Sequence, residues 1–155
     1  QYVDEVVTVS EDEIAAAILA LMEQKKLVSE GAGAVAVAAA MFNKVPVKGK
    51  NVVCVVSGGN IDVTAHNRAV RRGLVKAGRD CAITLDLQDK PGQLAGVLSI
   101  VGEHGGNVLS IVHERNTDNT DVNGCMLHLE LETRNHEHIH EIKEALKKAG
   151  YSIVH

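Results

Sequence analysis

The feature that most constrains this chain is a change of hydrophobic period that begins at Asp80 and then runs in a fixed order to the C-terminus. Ile83, Leu85 and Leu87 alternate with Thr84 and Asp86, the pattern of a strand buried on one face. After the turn Asp89-Lys90-Pro91-Gly92, the residues Leu94, Val97, Leu98 and Val101 recur at the spacing of an amphipathic helix, which Gly105-Gly106 stops. Residues 108–114 predict a second strand and residues 116–123 a polar hairpin loop. Cys125, Leu127, Leu129 and Leu131 then alternate with Met126, His128, Glu130 and Glu132, a third strand. Ile139, Ile142, Leu146 and Ala149 mark one face of a second helix that Gly150 ends, and residues 151–154 predict a closing strand. A strand-helix-strand-strand-helix-strand order leaves few options: both helices must cover one face of an antiparallel sheet.

That order is the ferredoxin-like βαββαβ arrangement of an α+β domain. Its open sheet face and edge strands need cover, so a homodimer pairing sheet to sheet is expected.

Residues 1–79 follow a different logic and predict an incomplete piece of an α/β domain. Residues 3–9 read as a short strand, and Ser10 with Glu13 forms a capping box for a helix carrying Ile14, Ala17, Ile18, Leu21 and Met22 on one face. Glu30-Gly31 opens a small-residue helix that reaches residue 43, suited to close approach of a neighbouring backbone. The continuous apolar run 52–56 predicts a strand buried on both faces of a parallel sheet, and residues 64–76 a further helix before Gly78. A doubly covered strand needs neighbours that this stretch does not supply, and so small an assembly is marginal alone. With Gln1 as the first residue, the expectation is a fragment of a longer polypeptide, dividing at 79/80.

Charge and cysteine usage exclude several classes. Residues 1–79 hold 10 Lys/Arg against 8 Asp/Glu, and residues 80–155 hold 6 against 12, so the net charges are +2 and −6. An acidic C-terminal half in a chain with 2% aromatics offers neither the basic patch nor the stacking platform that nucleic acid requires. Cys54, Cys81 and Cys125 are odd in number and far apart, which argues against a disulfide framework or a paired-cysteine zinc site. Their apolar surroundings predict buried, reduced thiols and a cytoplasmic protein. No leader-like segment and no membrane-length apolar run is present.

Other motifs have plain structural explanations. Gly31-Ala-Gly-Ala-Val-Ala36 matches a dinucleotide fingerprint on paper, but a helix precedes it, so helix packing explains it better. His136, His138 and His140 stand among Glu137 and Glu141 at the start of an amphipathic helix and predict a solvated face, with no metal site. Arg68, Arg72 and Lys76 form a basic helical stripe that also predicts a solvated face.

Two motifs carry chemistry. In Asp89-Lys90-Pro91-Gly92-Gln93-Leu94, Pro91 fixes the entry to a helix and Gly92 leaves amide groups open at its N-terminus, a place for a carboxylate. Asp89 offers a partner for an ammonium, so the two ends of an amino acid are matched. Its position between strand one and helix one, with Gly105-Gly106-Asn107-Val108 downstream, resembles the ACT domain family of amino-acid-sensing modules across nearly all of residues 80–155. The resemblance implies a ligand held between the first loop of one copy and the start of strand two of another. It implicates Asp89, Gly92, Gln93 and Leu94 with Asn107, Val108 and Leu109.

The second motif is Ser57-Gly58-Gly59-Asn60, a hydroxyl at the tip of the expected parallel strand, where α/β folds bind ligands. Together with Glu30-Gly-Ala-Gly-Ala34 upstream, residues 2–78 resemble the end of the catalytic domain of the threonine dehydratases. These are fold-type-II pyridoxal-phosphate enzymes, whose relatives include serine dehydratase and serine racemase. The resemblance implies that Ser57, with Gly58 beside it, hydrogen-bonds the pyridine nitrogen of pyridoxal 5'-phosphate and that Glu30 lies near the ring. A neutral hydroxyl there keeps the ring weakly electron-withdrawing, which favours loss of a β-hydroxyl. The family's Schiff-base lysine motif and glycine-rich phosphate loop do not occur in this chain. The implied parent converts L-threonine to 2-oxobutanoate and ammonia under allosteric control by isoleucine or valine, as a dimer or tetramer, while this chain alone is inactive. The rival readings are a non-catalytic amino-acid-binding module, a dimerisation module that binds nothing, and a serine-directed relative.

Overall fold

The computed structural model describes residues 2–115 and 123–154, so the expected loop at 116–123 lies outside the described residues except for Asn123. The chain divides into two compact units, Gln1–Lys76 and Ala77–His155.

The N-terminal unit is helical. Helix α1 (Glu11–Ala20) starts at the expected capping box: the Ser10 N–H donates to Glu13 Oε2 at 2.7 Å and the Glu13 N–H to Ser10 Oγ at 3.3 Å. It continues into one π-helical stretch, Leu21–Lys25, which ends at left-handed Lys26. Helix α2 (Gly31–Met41) and helix α3 (Val63–Lys76) complete the unit. Its core is small: Ala17, Ile18, Leu21, Ala34 and Ala38, with Val9, Ile14, Val37 and Ala69 packed around them.

Neither expected strand of this unit forms. Residues 3–9 and 52–56 carry no strand pairing, and Val53 and Val55 are 91% and 75% exposed. The physical reason is that a strand exists through its ladder, and every paired strand among the described residues belongs to the other unit. An apolar run without a neighbour stays extended and wet.

The C-terminal unit is the expected βαββαβ sandwich of helices on a sheet. Strand β1 (Asp80–Gln88), helix α4 (Gln93–Glu103), strands β2 (Asn107–Arg115) and β3 (Gly124–Glu132), helix α5 (His136–Lys148) and strand β4 (Ser152–Ile153) follow in order. The sheet runs β2-β3-β1-β4, antiparallel throughout. Ile83, Leu85 and Leu87 of β1 and Cys125, Leu127, Leu129 and Leu131 of β3 pack beneath Val97, Val101, Ile142 and Leu146. The opposite face is mostly polar: Thr84 bonds His128 at 3.0 Å, and Glu114 lies 3.5 Å from that ring.

Three details differ from expectation. Strand β4 is only two residues long, held by Leu85↔Ile153 and Asp86↔Ser152. Of the cysteines only Cys125 is buried; Cys54 and Cys81 are half-buried, Cys54 because its segment joins no sheet. His138 belongs to no solvated face. It is 1% exposed, its Nδ1 accepts the Arg134 N–H at 3.0 Å, and its Nε2–H donates to the His104 carbonyl at 2.7 Å. A helix start that must satisfy a neighbouring loop's carbonyl draws the imidazole inward.

Candidate functional site

In the N-terminal unit the structure brings together the three residues implicated in cofactor binding. Glu30 is the N-cap of α2, and its N–H donates to the Gly58 carbonyl at 3.2 Å. Gly58 has φ +77°, and a Cβ there would sit 2.3 Å from the Glu30 carboxylate. Gly33 meets the neighbouring peptide even more closely, since its Cβ would lie 1.7 Å from the Ser57 carbonyl oxygen. The small residues of the fingerprint-like stretch thus serve backbone contact, as the packing explanation requires. Ser57 itself is exposed at this junction. The glycines give their room to the Ser57 carbonyl and the Glu30 carboxylate, and the exposed Ser57 hydroxyl beside them is a donor of the kind a pyridine nitrogen accepts.

In the C-terminal unit the loop from β1 to α4 forms one wall of a cavity of about 310 Å³, lined by Asp89, Gly92, Gln93 and Leu94 and closed by His113, Arg115 and Cys125. Gly92 is left-handed at φ +90° and caps α4 without any side-chain hydrogen bond; the Gln93 N–H turns back to the Lys90 carbonyl at 3.3 Å, and the Leu94 and Ala95 amides that follow it are the ones left for a ligand. Asp89 is anchored through its N–H to the Asn123 carbonyl at 2.8 Å. Its carboxylate accepts the Arg115 Nε–H at 2.7 Å, and this hydrogen bond holds it below the usual carboxylate range while raising the guanidinium. Leu94 also packs on the core, so its part in the wall is partly structural.

The other half of the expected effector site lies elsewhere. Asn107 stands opposite Glu132, with its Nδ2 donating to Glu132 Oε2 at 3.1 Å, whereas Gln88, next to Asp89, stands opposite Gly124. The two groups therefore occupy opposite ends of a nine-residue strand, on the order of 25 Å apart at 3.3 Å per residue. Val108 is packed on the core and Leu109 is 52% exposed at the edge. One chain does not bring the two halves together.

His113, Arg115 and Cys125 escaped the reading of the sequence. A register shift between Val108 and Ser110 makes Leu109 a bulge and reverses the facing of everything after it. Without it, His113 and Arg115 would point to the open face; with it they join Leu127 and Cys125 on the helix-covered face. The visible sign was two adjacent apolar pairs, Val108-Leu109 and Ile111-Val112, which no strict alternation permits.

The fold defines a class: a ferredoxin-like α+β module that follows a helical segment. Residues 82–151 match the family model of the ACT domain, and residues 1–58 match that of pyridoxal-phosphate dependent enzymes. The C-terminal unit belongs to the ACT domain family. L-threonine ammonia-lyases are among the proteins similar along nearly the whole chain. That of Thermotoga maritima is 50% identical over 153 residues, covering 99% of this chain and 38% of the relative. That of Geobacter sulfurreducens is 44% identical over 151 residues, covering 97% and 38%. The biosynthetic L-threonine dehydratase IlvA of Halalkalibacterium halodurans is 32% identical over 149 residues, covering 96% and 35%. The chain thus spans just over a third of the length of these relatives. Among the described residues no helix is long and apolar enough to cross a membrane.

Proposed function

We propose that this chain is the C-terminal part of a pyridoxal-phosphate-dependent L-threonine ammonia-lyase, and that residues 80–155 are its amino-acid sensor. The observation that carries this reading is the 50% identity to a threonine ammonia-lyase, which runs through both units in one alignment covering 99% of the chain. The parent enzyme converts L-threonine to 2-oxobutanoate and ammonia. Bound pyridoxal phosphate supplies the electron-withdrawing ring that makes the Cα proton of an amino acid removable. From this chain, Ser57 would offer its hydroxyl as a donor to the ring nitrogen, and Glu30, pressed on Gly58, would lie near the ring. Without the lysine and phosphate loop the chain alone is inactive.

The sensor is completed by a second copy. Strand β2 is an edge, and Leu109, Ile111 and Val112 on it are 52%, 41% and 46% exposed. Antiparallel pairing of two β2 strands about Ile111 sets Asn107 of one copy opposite Arg115 of the other, and so beside the Asp89–Leu94 loop. An amino acid there meets open amides at its carboxylate and Asp89 at its ammonium, with an aliphatic side chain against Leu94 and Leu109. Isoleucine or valine satisfies these contacts better than serine. Coupling to catalysis follows if the effector favours one arrangement of paired subunits. The internal Asp89–Arg115 pair favours one rival reading, a dimerisation module without ligand, because it already satisfies the carboxylate.

Thermal-shift titration of the 155-residue chain with isoleucine, valine, threonine and serine separates these readings. Stabilisation by isoleucine or valine, lost in Asn107→Ala, supports the sensor. No shift with any amino acid supports the dimerisation reading. Assay of the longer enzyme on threonine and serine tests the lyase assignment, and preference for serine would refute it.

A further inference from the structure

Asp89, on the loop after β1, converges with His113 of β2 and Cys125 of β3 on one wall of the cavity. One donor atom from each lies within 4.8 Å of the others. Their placement is set by backbone, not by chance rotamers. Cys125 stands between Leu87 on β1 and Arg115 on β2, and His113, two residues back along β2, is its diagonal neighbour on the same face. Asp89 follows one residue after the β1 ladder ends. A thiol, an imidazole and a carboxylate form a mixed S, N and O donor set that suits zinc and its neighbours better than calcium or magnesium.

A second, independent observation calls for a ligand. The His113 Nε2 is buried, and among the described residues it has no hydrogen-bond partner. Native structures rarely leave a buried imidazole nitrogen unmatched unless a water or ion serves it.

We propose that Asp89, His113 and Cys125 form a three-ligand site for a divalent transition-metal ion of the zinc type, with its fourth position open to the cavity. Tetrahedral bonds of about 2.0–2.3 Å place ligand atoms roughly 3.3–3.7 Å apart, so the donors must close by on the order of 1 Å. Asp89, exposed on its loop, supplies that movement by side-chain rotation. Arg115 serves as the outer shell: its Nε–H on Oδ2 orients the carboxylate and leaves Oδ1 for the metal. On binding, the Cys125 thiol gives up its proton to solvent and its weak 3.6 Å hydrogen bond to the Leu87 carbonyl. Burial alone opposes that ionisation, and the ion's two positive charges, matched by one thiolate and one carboxylate, drive it. The open position accepts water or a chelating small molecule from the cavity. The site shares Asp89 with the effector loop but rests on no part of the sensor reading.

The test is a titration of the reduced 155-residue chain with Co²⁺, followed by displacement with Zn²⁺. One equivalent should bind with a near-ultraviolet thiolate-to-cobalt band and the visible bands of a tetrahedral ion, and Zn²⁺ should erase both. Cys125→Ser should abolish the thiolate band, and His113→Gln and Asp89→Asn should each weaken binding by roughly tenfold or more. Cys54→Ser, Cys81→Ser and His136→Gln should leave it unchanged. Because Cys125 is buried, circular dichroism accompanies each titration, and the edge-strand variant His113→Gln decides the matter if Cys125→Ser fails to fold. Absence of the band in excess Co²⁺, its survival in a folded Cys125→Ser or undiminished affinity in His113→Gln, or its loss in Cys54→Ser or Cys81→Ser, overturns the proposal. The readout needs no amino acid, so its failure is distinct from failure of the sensor.

Discussion

Val53 and Leu127 are both aliphatic residues in segments that read as strands, yet Val53 is 91% exposed and Leu127 is fully buried. The difference lies in what surrounds each run. Leu127 stands between Leu85 and His113 in a closed ladder, beneath two helices. Val53 has no strand partner among the described residues, so its backbone and side chain stay open. Helices behave otherwise. Those of the N-terminal unit form because their hydrogen bonds are local, and burying a small alanine face against each other suffices. A local pattern therefore specifies a helix nearly by itself, whereas it specifies a strand only when its neighbours are in the same chain.

The most direct way to break this comparison is truncation of the two residues. Leu127→Ala should cost about 2–5 kcal/mol, the range for deleting a buried leucine side chain. Val53→Ala should stay within about 0.5 kcal/mol, as for surface sites. Urea unfolding of the 155-residue chain, followed by hydrogen exchange to separate the units, reads both values. Equal costs would mean that Val53 is packed in solution and that the ladder argument is wrong.

The same contrast explains how much was legible beforehand. The order of elements after Asp80 was readable because β1 and β3 alternate cleanly and each helix ends on glycine. The capping box at Ser10 was readable because its logic spans four adjacent residues. Glu30, Ser57 and Gly58 were readable as motif only, since their placement together depends on Gly33 yielding space to the Ser57 carbonyl and Gly58 to the Glu30 carboxylate. What escaped was long-range. The bulge at Leu109 decides which way His113 and Arg115 point, and His138 is buried by a carbonyl 34 positions away in sequence. Neither fact leaves more than a faint local trace.

A second, smaller effect sharpens the comparison for buried polar groups. His138 in the C-terminal unit and Ser29 in the N-terminal unit are each 1% exposed. The imidazole bridges two elements through two backbone partners, while among the described residues the Ser29 hydroxyl bonds the adjacent Glu30 carbonyl at 3.0 Å. His138→Ala strands a donor and an acceptor and should cost about 1–3 kcal/mol. Ser29→Ala removes its own hydroxyl with the bond and should cost about 0.5–1.5 kcal/mol. Denaturant midpoints at unchanged slope provide the test, and a larger loss at Ser29 would reverse the ranking of the two interiors.

The smallest expected effect concerns acid, and it again sets one unit against the other. Glu13 is held below its ordinary value first by the Lys44 ammonium at 2.8 Å and then by the Ser10 N–H. Glu144 is lowered by Lys147 at 2.8 Å, three residues along the same helix. Both carboxyls bind protons less readily folded than unfolded. Each contribution is therefore complete above the ordinary carboxylate value of about 4 and is lost as pH falls through the lowered one. The groups are exposed, so solvent screens both pairs and the effects are modest. They should still differ. Glu13 joins a helix start to a residue 31 positions on, a link absent from the unfolded chain, whereas the Glu144–Lys147 pair spans a single helical turn. Glu13→Gln should flatten the acid limb of the midpoint-against-pH curve more than Glu144→Gln does. If the two curves coincide, the Lys44 contact adds nothing beyond what one isolated helix provides.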